Sequence, residues 1–271
     1  MKYLLFLFCG CFIFSQTITY KPNARVFHQD LGDSIQVYYE NNEDFPLTFK
    51  YTQIGNNITT TTKNETFIVA SPKENKLFNT VHPKDPYQEW SFNYDTKVST
   101  GDLLNKKDHV YAYALPFETN KSVFIMQGPF SGKTHTGINA YDFGLKSGEK
   151  IYSSRKGKVI FIKDDSNENC FNESCKEKAN SIAIIHEDGT IALYGHLKFH
   201  GVIVKSNQEV EEGELIGYSG NTGFSNGAHL HFEIFSQDII TGKKITYNPK
   251  FKTKKNPSGE YIEVGKYYTK P

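Results

Sequence analysis

Residues 16 to about 108 of this chain carry short runs in which apolar and polar residues alternate, and no run after them sustains helical spacing. SIQVYYE at 34–40, PLTFKYTQI at 46–54 and TFIVA at 66–70 read as short strands, separated by polar turns such as NNEDFP and GNNITTTTKNE. Alternation of this kind sends successive side chains to opposite faces of a sheet. The second half continues as strand-like segments and gains glycine, in VYAYALPF, KVIFIKD, SIAIIHEDG, TIALYGHL and GELIGYSG. His186-Glu187-Asp188-Gly189 predicts a hairpin turn between SIAII and TIALY. The chain is therefore expected to be all-β. The strand spacing before residue 108 predicts an immunoglobulin-like β-sandwich. A compact antiparallel β-sheet domain is expected to follow it.

One strand carries more than packing. In GAHLHFEIF, residues 227–235, alternation places Leu230, Phe232 and Ile234 on one face and His229, His231 and Glu233 on the other. The first set suits a core. The second reads either as a solvent-facing polar stripe or as metal-binding material.

With 271 residues the chain can bury a sizeable core and hold one large domain or two smaller ones. Lys and Arg number 31 against 30 Asp and Glu, which excludes the strongly basic surface of a nucleic-acid binder. The opening MKYLLFLFCGCFIFSQ has one cation, Lys2, an apolar run from Tyr3 to Phe14 and a small residue, Ser15. That build predicts a secretory signal over residues 1–15, too short to span a bilayer. Its removal cancels the formal excess of one positive charge. Lipid attachment at Cys11 is the weaker alternative, because the apolar stretch ahead of it is short. Export to the periplasm or the exterior is expected, with a β-sandwich-like domain over residues 16–108 and the second domain over 109–271. Cys170 and Cys175 are the cysteines left after the signal and read as a disulfide closing a small loop. Loop entropy limits its worth to roughly 2 kcal/mol.

Four histidines and one carboxylate sit in segments that look built for them. His135 lies in the glycine-rich GPFSGKTHTGINAYDFG, and Asp142 follows it; His196 closes TIALYGHL; His229 and His231 form the pair above. Imidazole and carboxylate donors in an exported protein suit zinc. A catalytic zinc takes three protein ligands, so these five residues would leave two over.

From about Tyr111 onward the chain resembles the lysostaphin- or LytM-type zinc metalloendopeptidases, which cleave peptidoglycan peptides. The resemblance rests on LPF at 115–117, QGPFSGKTH at 127–135, YDF at 141–143, IIHEDGTIALYGHL and GELIGYSGNTGFSNGAHLHFEI, in that order. It implies that His135, Asp142 and His231 bind one zinc ion per chain and that His196 and His229 serve catalysis. It further implies attack on a cross-bridge or stem-peptide amide by a zinc-bound water. One catalytic histidine would take a proton from that water, and the other would bond the developing oxyanion. Peptidoglycan peptides are then the partners, without nucleic acid or stable membrane insertion, and the working unit is expected to be a monomer.

Three departures from the family pattern stand out. Asn139 occupies the place of the usual aspartate four residues after the first histidine, and Asp142 is preferred because an amide is a poor zinc ligand. Ala228 replaces a frequent proline, and SGEKIYSSRKG replaces the usual Gly-Thr-Pro-Val turn. The competing reading is a non-catalytic relative that binds or scaffolds the cell wall. His28, His82 and His109 are expected to be ordinary structural or surface residues, and His186 and His200 to stand outside the site. Glu233 reads equally as a support for a neighbouring ligand or as a solvated carboxylate. The loop at 219–223 and the insertion DDSNENCFNESCKEK are expected to wall the cleft. The lysines at 250, 252, 254 and 255 read as a solvated tail able to touch an anionic polymer.

Overall fold

The computed structural model describes residues 21–104, 111–132 and 134–271. The expected signal, Cys11, His109 and the expected boundary at 108 lie outside the described residues. Strands dominate, and the sole helix among the described residues is a short 3-10 turn, Glu173–Lys178. No helix there is long and apolar enough to cross a membrane.

The first unit contains β1 (Ala24–Asp30), β2 (Ile35–Asn41), β3 (Leu47–Asn56) and β4 (Ile58–Thr60). It continues with β5 (Glu65–Ala70), β6 (Asn75–Pro83) and β7 (Ser91–Thr100). These pair as two sheets, ordered β1-β2-β6-β4 and β5-β3-β7. Alternate residues of β2 and β3 meet between them: Tyr39 lies 5.7 Å from Phe49, ring to ring, and Tyr51 packs edge-on against Phe78 of β6 at 4.9 Å. The two-layer arrangement is thus present, but its strand order departs from the immunoglobulin one. In that fold the second strand neighbours the fifth, whereas here it neighbours β6, and β5 joins the opposite sheet beside β3. Alternation identifies strands without identifying their partners.

The second unit opens with β8 (Ala112–Ala114), β9 (Ser122–Gln127), β10 (Ala140–Phe143) and β11 (Lys150–Tyr152). Next come β12 (Gly157–Lys163), β13 (Asn169–Cys170), β14 (Ser181–Ile185) and β15 (Ile191–Gly195). They are followed by β16 (Leu197–Val202), β17 (Glu209–Val210), β18 (Leu215–Ser219) and β19 (Gly223–Phe224). The chain closes with β20 (Leu230–Gln237), β21 (Lys244–Tyr247), β22 (Lys250–Lys252) and β23 (Tyr267–Thr269). A large sheet runs β17-β12-β14-β15-β20-β10-β9-β23, with β21 also on β20. β14 and β15 form the expected hairpin, with Ile185 opposite Ile191.

Leu230, Phe232 and Ile234 face the core of this unit, together with Ile182, Ile184, Ala192 and Tyr194 of the neighbouring strands. The lysine-rich tail is woven into the same core and is more than a solvated surface. β22 pairs with β8, β23 pairs with β9, and Phe251 and Ile262 are buried. Lys252 bonds Glu212, while Lys250 lies 5.5 Å over the Tyr261 ring.

The opposite face of the sheet has two uses. At the Phe235 end, Ile160, Ala183, Ile185, Ile191 and Leu193 share one apolar cluster with Tyr39, Phe45, Leu47, Phe49 and Ala70 of the first unit. Polar bonds frame that contact: Lys158 Nζ donates to Asp44 O at 2.9 Å, and Thr100 N donates to Gln237 Oε1 at 3.0 Å. At its other end the same face carries Asp142 and His231.

Candidate metal centre

β20 lies between β10 and β15, and the register sets Asp142 and Gly195 on either side of His231. Period-two geometry then aims Asp142 and His231 outward from the same face. His135 arrives from the loop ahead of β10. Gly128 O accepts from its Nδ1 at 3.0 Å, and Gln127 steadies the loop by donating to Ser131 O and Thr134 Oγ1, both at 2.8 Å.

Three ligand-capable atoms converge here: His135 Nε2, Asp142 Oδ1 and His231 Nδ1. Their separations are 3.2 Å from His135 to Asp142, 3.1 Å from His231 to Asp142 and 3.3 Å between the two imidazoles. Zinc bonds of about 2.0–2.1 Å at tetrahedral angles would set ligand atoms about 3.3 Å apart. The donor set and its spacing fit that ion. All three side chains are buried. Burial alone would raise the Asp142 pKa, but its bonds to His135 and His231 and their charges outweigh that and hold it well below the usual carboxylate value. Burial pulls His135 down, and the neighbouring carboxylate more than reverses it, leaving its pKa raised.

Two further imidazoles border the cluster. His196 follows β15 with a left-handed backbone, φ 59°, which turns its ring off the strand line. Its ring centroid lies 4.5 Å from that of His229 and 5.9 Å from that of His231. His229 Nε2 lies 3.7 Å from Asp142 Oδ1. Each ring is set by a backbone carbonyl at Nδ1, Thr222 O at 2.6 Å for His196 and Gly227 O at 2.8 Å for His229. A neutral imidazole that donates from Nδ1 keeps its lone pair on Nε2. Burial, reinforced by the nearby His229 and His231, lowers the His196 pKa to about 3. His196 is therefore neutral across the ordinary pH range.

The loop that supplies these carbonyls is itself braced. Thr222 Oγ1 donates to Leu197 O at 2.7 Å and accepts from Asn180 N at 2.9 Å. Gly220 bridges to His229, and a Cβ there would fall 2.5 Å from Lys198 N. β13 pairs with β19, and the 164–178 insertion leans on the loop through the Phe171 ring, tilted against Phe224 at 5.2 Å. Cys170 and Cys175 are joined in a disulfide, as the sequence led us to expect.

The other candidates stand apart. Asn139 turns to β21, donating from Nδ2 to Thr246 O at 2.9 Å. His186 is buried at the β14–β15 turn beneath Lys156 O, His200 is exposed beside Asp164, and His28 contacts Tyr94. Sequence reasoning missed the carbonyls of Gly128, Thr222 and Gly227, because a backbone acceptor leaves no residue-type signal. Glu233 is not solvated; it is buried beside His231 and paired with Lys244.

Residues 133–246 match the model of Peptidase family M23. Over 107 residues, 40% of this chain, the sequence is 31% identical to peptidoglycan DD-endopeptidase ShyA of Vibrio cholerae, and it covers 21% of that protein. It is 35% identical over 119 residues, 44% of the chain, to cell division protein DipM of Caulobacter vibrioides, of which it covers 17%. The chain thus spans about a fifth of the length of these curated relatives. Among solved structures it is similar to the catalytic domain of lysostaphin from Staphylococcus simulans, at 25% identity over 47% of this chain and 88% of that one, with a TM-score of 0.34. The matched segment contains His135, Asp142, His196, His229 and His231 together, the five residues that the fold gathers at one end of one sheet face. Residues 133–246 of this chain form a domain of Peptidase family M23.

Proposed function

We propose that this protein is an exported zinc-dependent endopeptidase that hydrolyses peptide bonds in the cross-bridges or stem peptides of peptidoglycan. Residues 109–271 form the hydrolytic unit, residues 16–108 precede it, and residues 1–15 direct export. One observation carries the reading: three buried donor atoms at 3.1–3.3 Å from one another, bordered by two further imidazoles. The peptidoglycan endopeptidase names among the relatives support the substrate class.

His135 Nε2, Asp142 Oδ1 and His231 Nδ1 would hold the zinc ion. Bound there, zinc supplies Lewis-acid activation of water and of a scissile carbonyl. His196 and His229 divide the proton work. Each keeps its Nδ1 proton on a backbone carbonyl, so Nε2 is the nitrogen that would take a proton and later return it to the leaving amine. A ring that has taken a proton at Nε2 becomes a donor to a developing oxyanion, an interaction worth roughly 3–4 kcal/mol. Burial of both rings keeps that exchange away from bulk water.

Incubating the zinc-loaded mature protein with defined muropeptides and weighing the fragments tests the proposal. Paired fragments whose masses sum to the parent plus one water, from cleavage at a single amide, are expected. Full zinc occupancy with no cleavage of any muropeptide or glycine-rich peptide would overturn the enzyme reading.

A further inference from the structure

Four buried side-chain nitrogen or oxygen atoms among the described residues lack a hydrogen-bond partner. Two of them, His231 Nε2 and Glu233 Oε2, lie two residues apart on one face of β20. The two atoms are not bonded to each other in this arrangement. We propose that Glu233 is the positioning residue for His231 when that ring ligates a metal, its Oε2 then accepting the Nε2 proton of the imidazole, with Lys244 holding the carboxylate in place. The inference rests on His231 being a metal ligand.

The tautomers make the case. His135, His196 and His229 each donate from Nδ1 to a backbone carbonyl. His231 is reversed, turning Nδ1 toward Asp142 Oδ1 and His135 Nε2. A neutral ring whose Nδ1 lone pair serves a metal must carry its proton on Nε2. That nitrogen is buried, so the proton needs a local acceptor. Glu233 is the matching group, an acceptor without a donor. Its Oε1 is engaged by Lys244 Nζ, which lies 4.5 Å over the Phe235 ring, and its side chain is fully buried. The residues across the ladder from Glu233 are Ala140 and Leu193, neither of which carries a polar side chain. Neighbours two residues apart on a strand are about 6–7 Å from each other at Cα, within joint reach of an imidazole and a glutamate. A carboxylate behind a ligating histidine fixes the ring and raises its basicity.

The test is zinc affinity of the full chain, measured by chelator competition, beside the unfolding midpoint of the metal-free protein. Glu233→Leu is expected to weaken zinc binding about 10–100-fold, and Glu233→Gln, which keeps an acceptor oxygen, to restore most of it. Wild type binding zinc no better than His231→Ala would overturn the metal-site reading itself. Tight wild-type binding matched by a folded Glu233→Leu would overturn the positioning role alone. Should Glu233→Leu fail to fold, nitrogen-15 spectra of the zinc-loaded wild type decide. A His231 Nε2 proton protected from exchange and shifted in Glu233→Gln is expected, whereas one exchanging freely with solvent refutes the bond.

Discussion

At the scale of single residues, the site separates imidazoles by which nitrogen faces inward. His231 offers Nδ1 to the three-atom cluster, while His196 is fixed through Nδ1 to Thr222 O. Replacing His231 with alanine removes a donor atom, so zinc content and activity are expected to fall together. His196→Ala leaves the cluster whole, so zinc is retained while kcat drops by about 10²–10⁴-fold, the range for losing a general base or its equivalent. Metal analysis beside steady-state kinetics distinguishes the two, and loss of zinc from His196→Ala would contradict the division. Backbone strain adds a second expectation. His196 sits at φ 59°, where a Cβ costs about 1 kcal/mol relative to glycine. His196→Gly should therefore exceed His196→Ala in urea stability by about that amount, and equal midpoints would argue against strain at this position.

At the scale of elements, the β19 loop shows how remote packing reaches the chemistry. Gly223 has φ 84°, and a Cβ there would meet Ala179 atoms at 2.4–2.6 Å. Gly223→Ala must displace β19 and with it Thr222 O, the partner of His196. Since misplacement by an ångström can cost about 10²-fold in rate, kcat should fall by up to that factor with zinc content unchanged. The β14–β15 turn carries a different liability. Burial, aided by the Arg155 charge, lowers the His186 pKa from 6.5 to about 4. The unfolded chain therefore binds a proton between those pH values that the folded chain refuses, and stability declines on acidification through that window. The shift corresponds to an upper figure of about 3 kcal/mol. His186→Asn retains a donor for Lys156 O and removes the titration, so in chelated protein its loss of stability from pH 7 to 5 should be shallower. An unchanged slope would refute the assignment. These elements also mark the limits of reading the chain. β2, β3, β5, the turn at 186–189, the disulfide and the face shared by His229, His231 and Glu233 were legible because alternation and turn chemistry are local. The preference for Asp142 over Asn139 was legible from donor chemistry. The exchange of β5 and β6 between sheets, the burial of Phe251 and Ile262 in a tail that reads as polar, and the carbonyls behind each histidine depend on distant partners.

At the scale of the molecule, one sheet face serves both the site and the joint with the first unit. Ile160, Ala183, Ile185, Ile191, Leu193 and Phe235 would be bare if the first unit were absent. A full Leu or Ile side chain is worth about 1.5–3 kcal/mol on burial, so the joint is large beside the marginal stability of a typical domain. Tyr39, Phe45, Leu47 and Phe49 face the same problem from the other side. The two units are therefore expected to unfold together, giving one calorimetric transition whose enthalpy matches its van't Hoff value. Leu193→Ala, at a fully buried position opposite Glu233, should lower that single transition by about 2–5 kcal/mol without splitting it. Two resolved transitions in the wild type, only one of which moves in Leu193→Ala, would mean that the shared cluster does not couple the units. The expected single transition also bears on truncation. A chain beginning near residue 111 would expose the apolar end of the face beside the metal cluster, so loss of activity in such a fragment would report a damaged sheet before it reported any direct role of the first unit in hydrolysis.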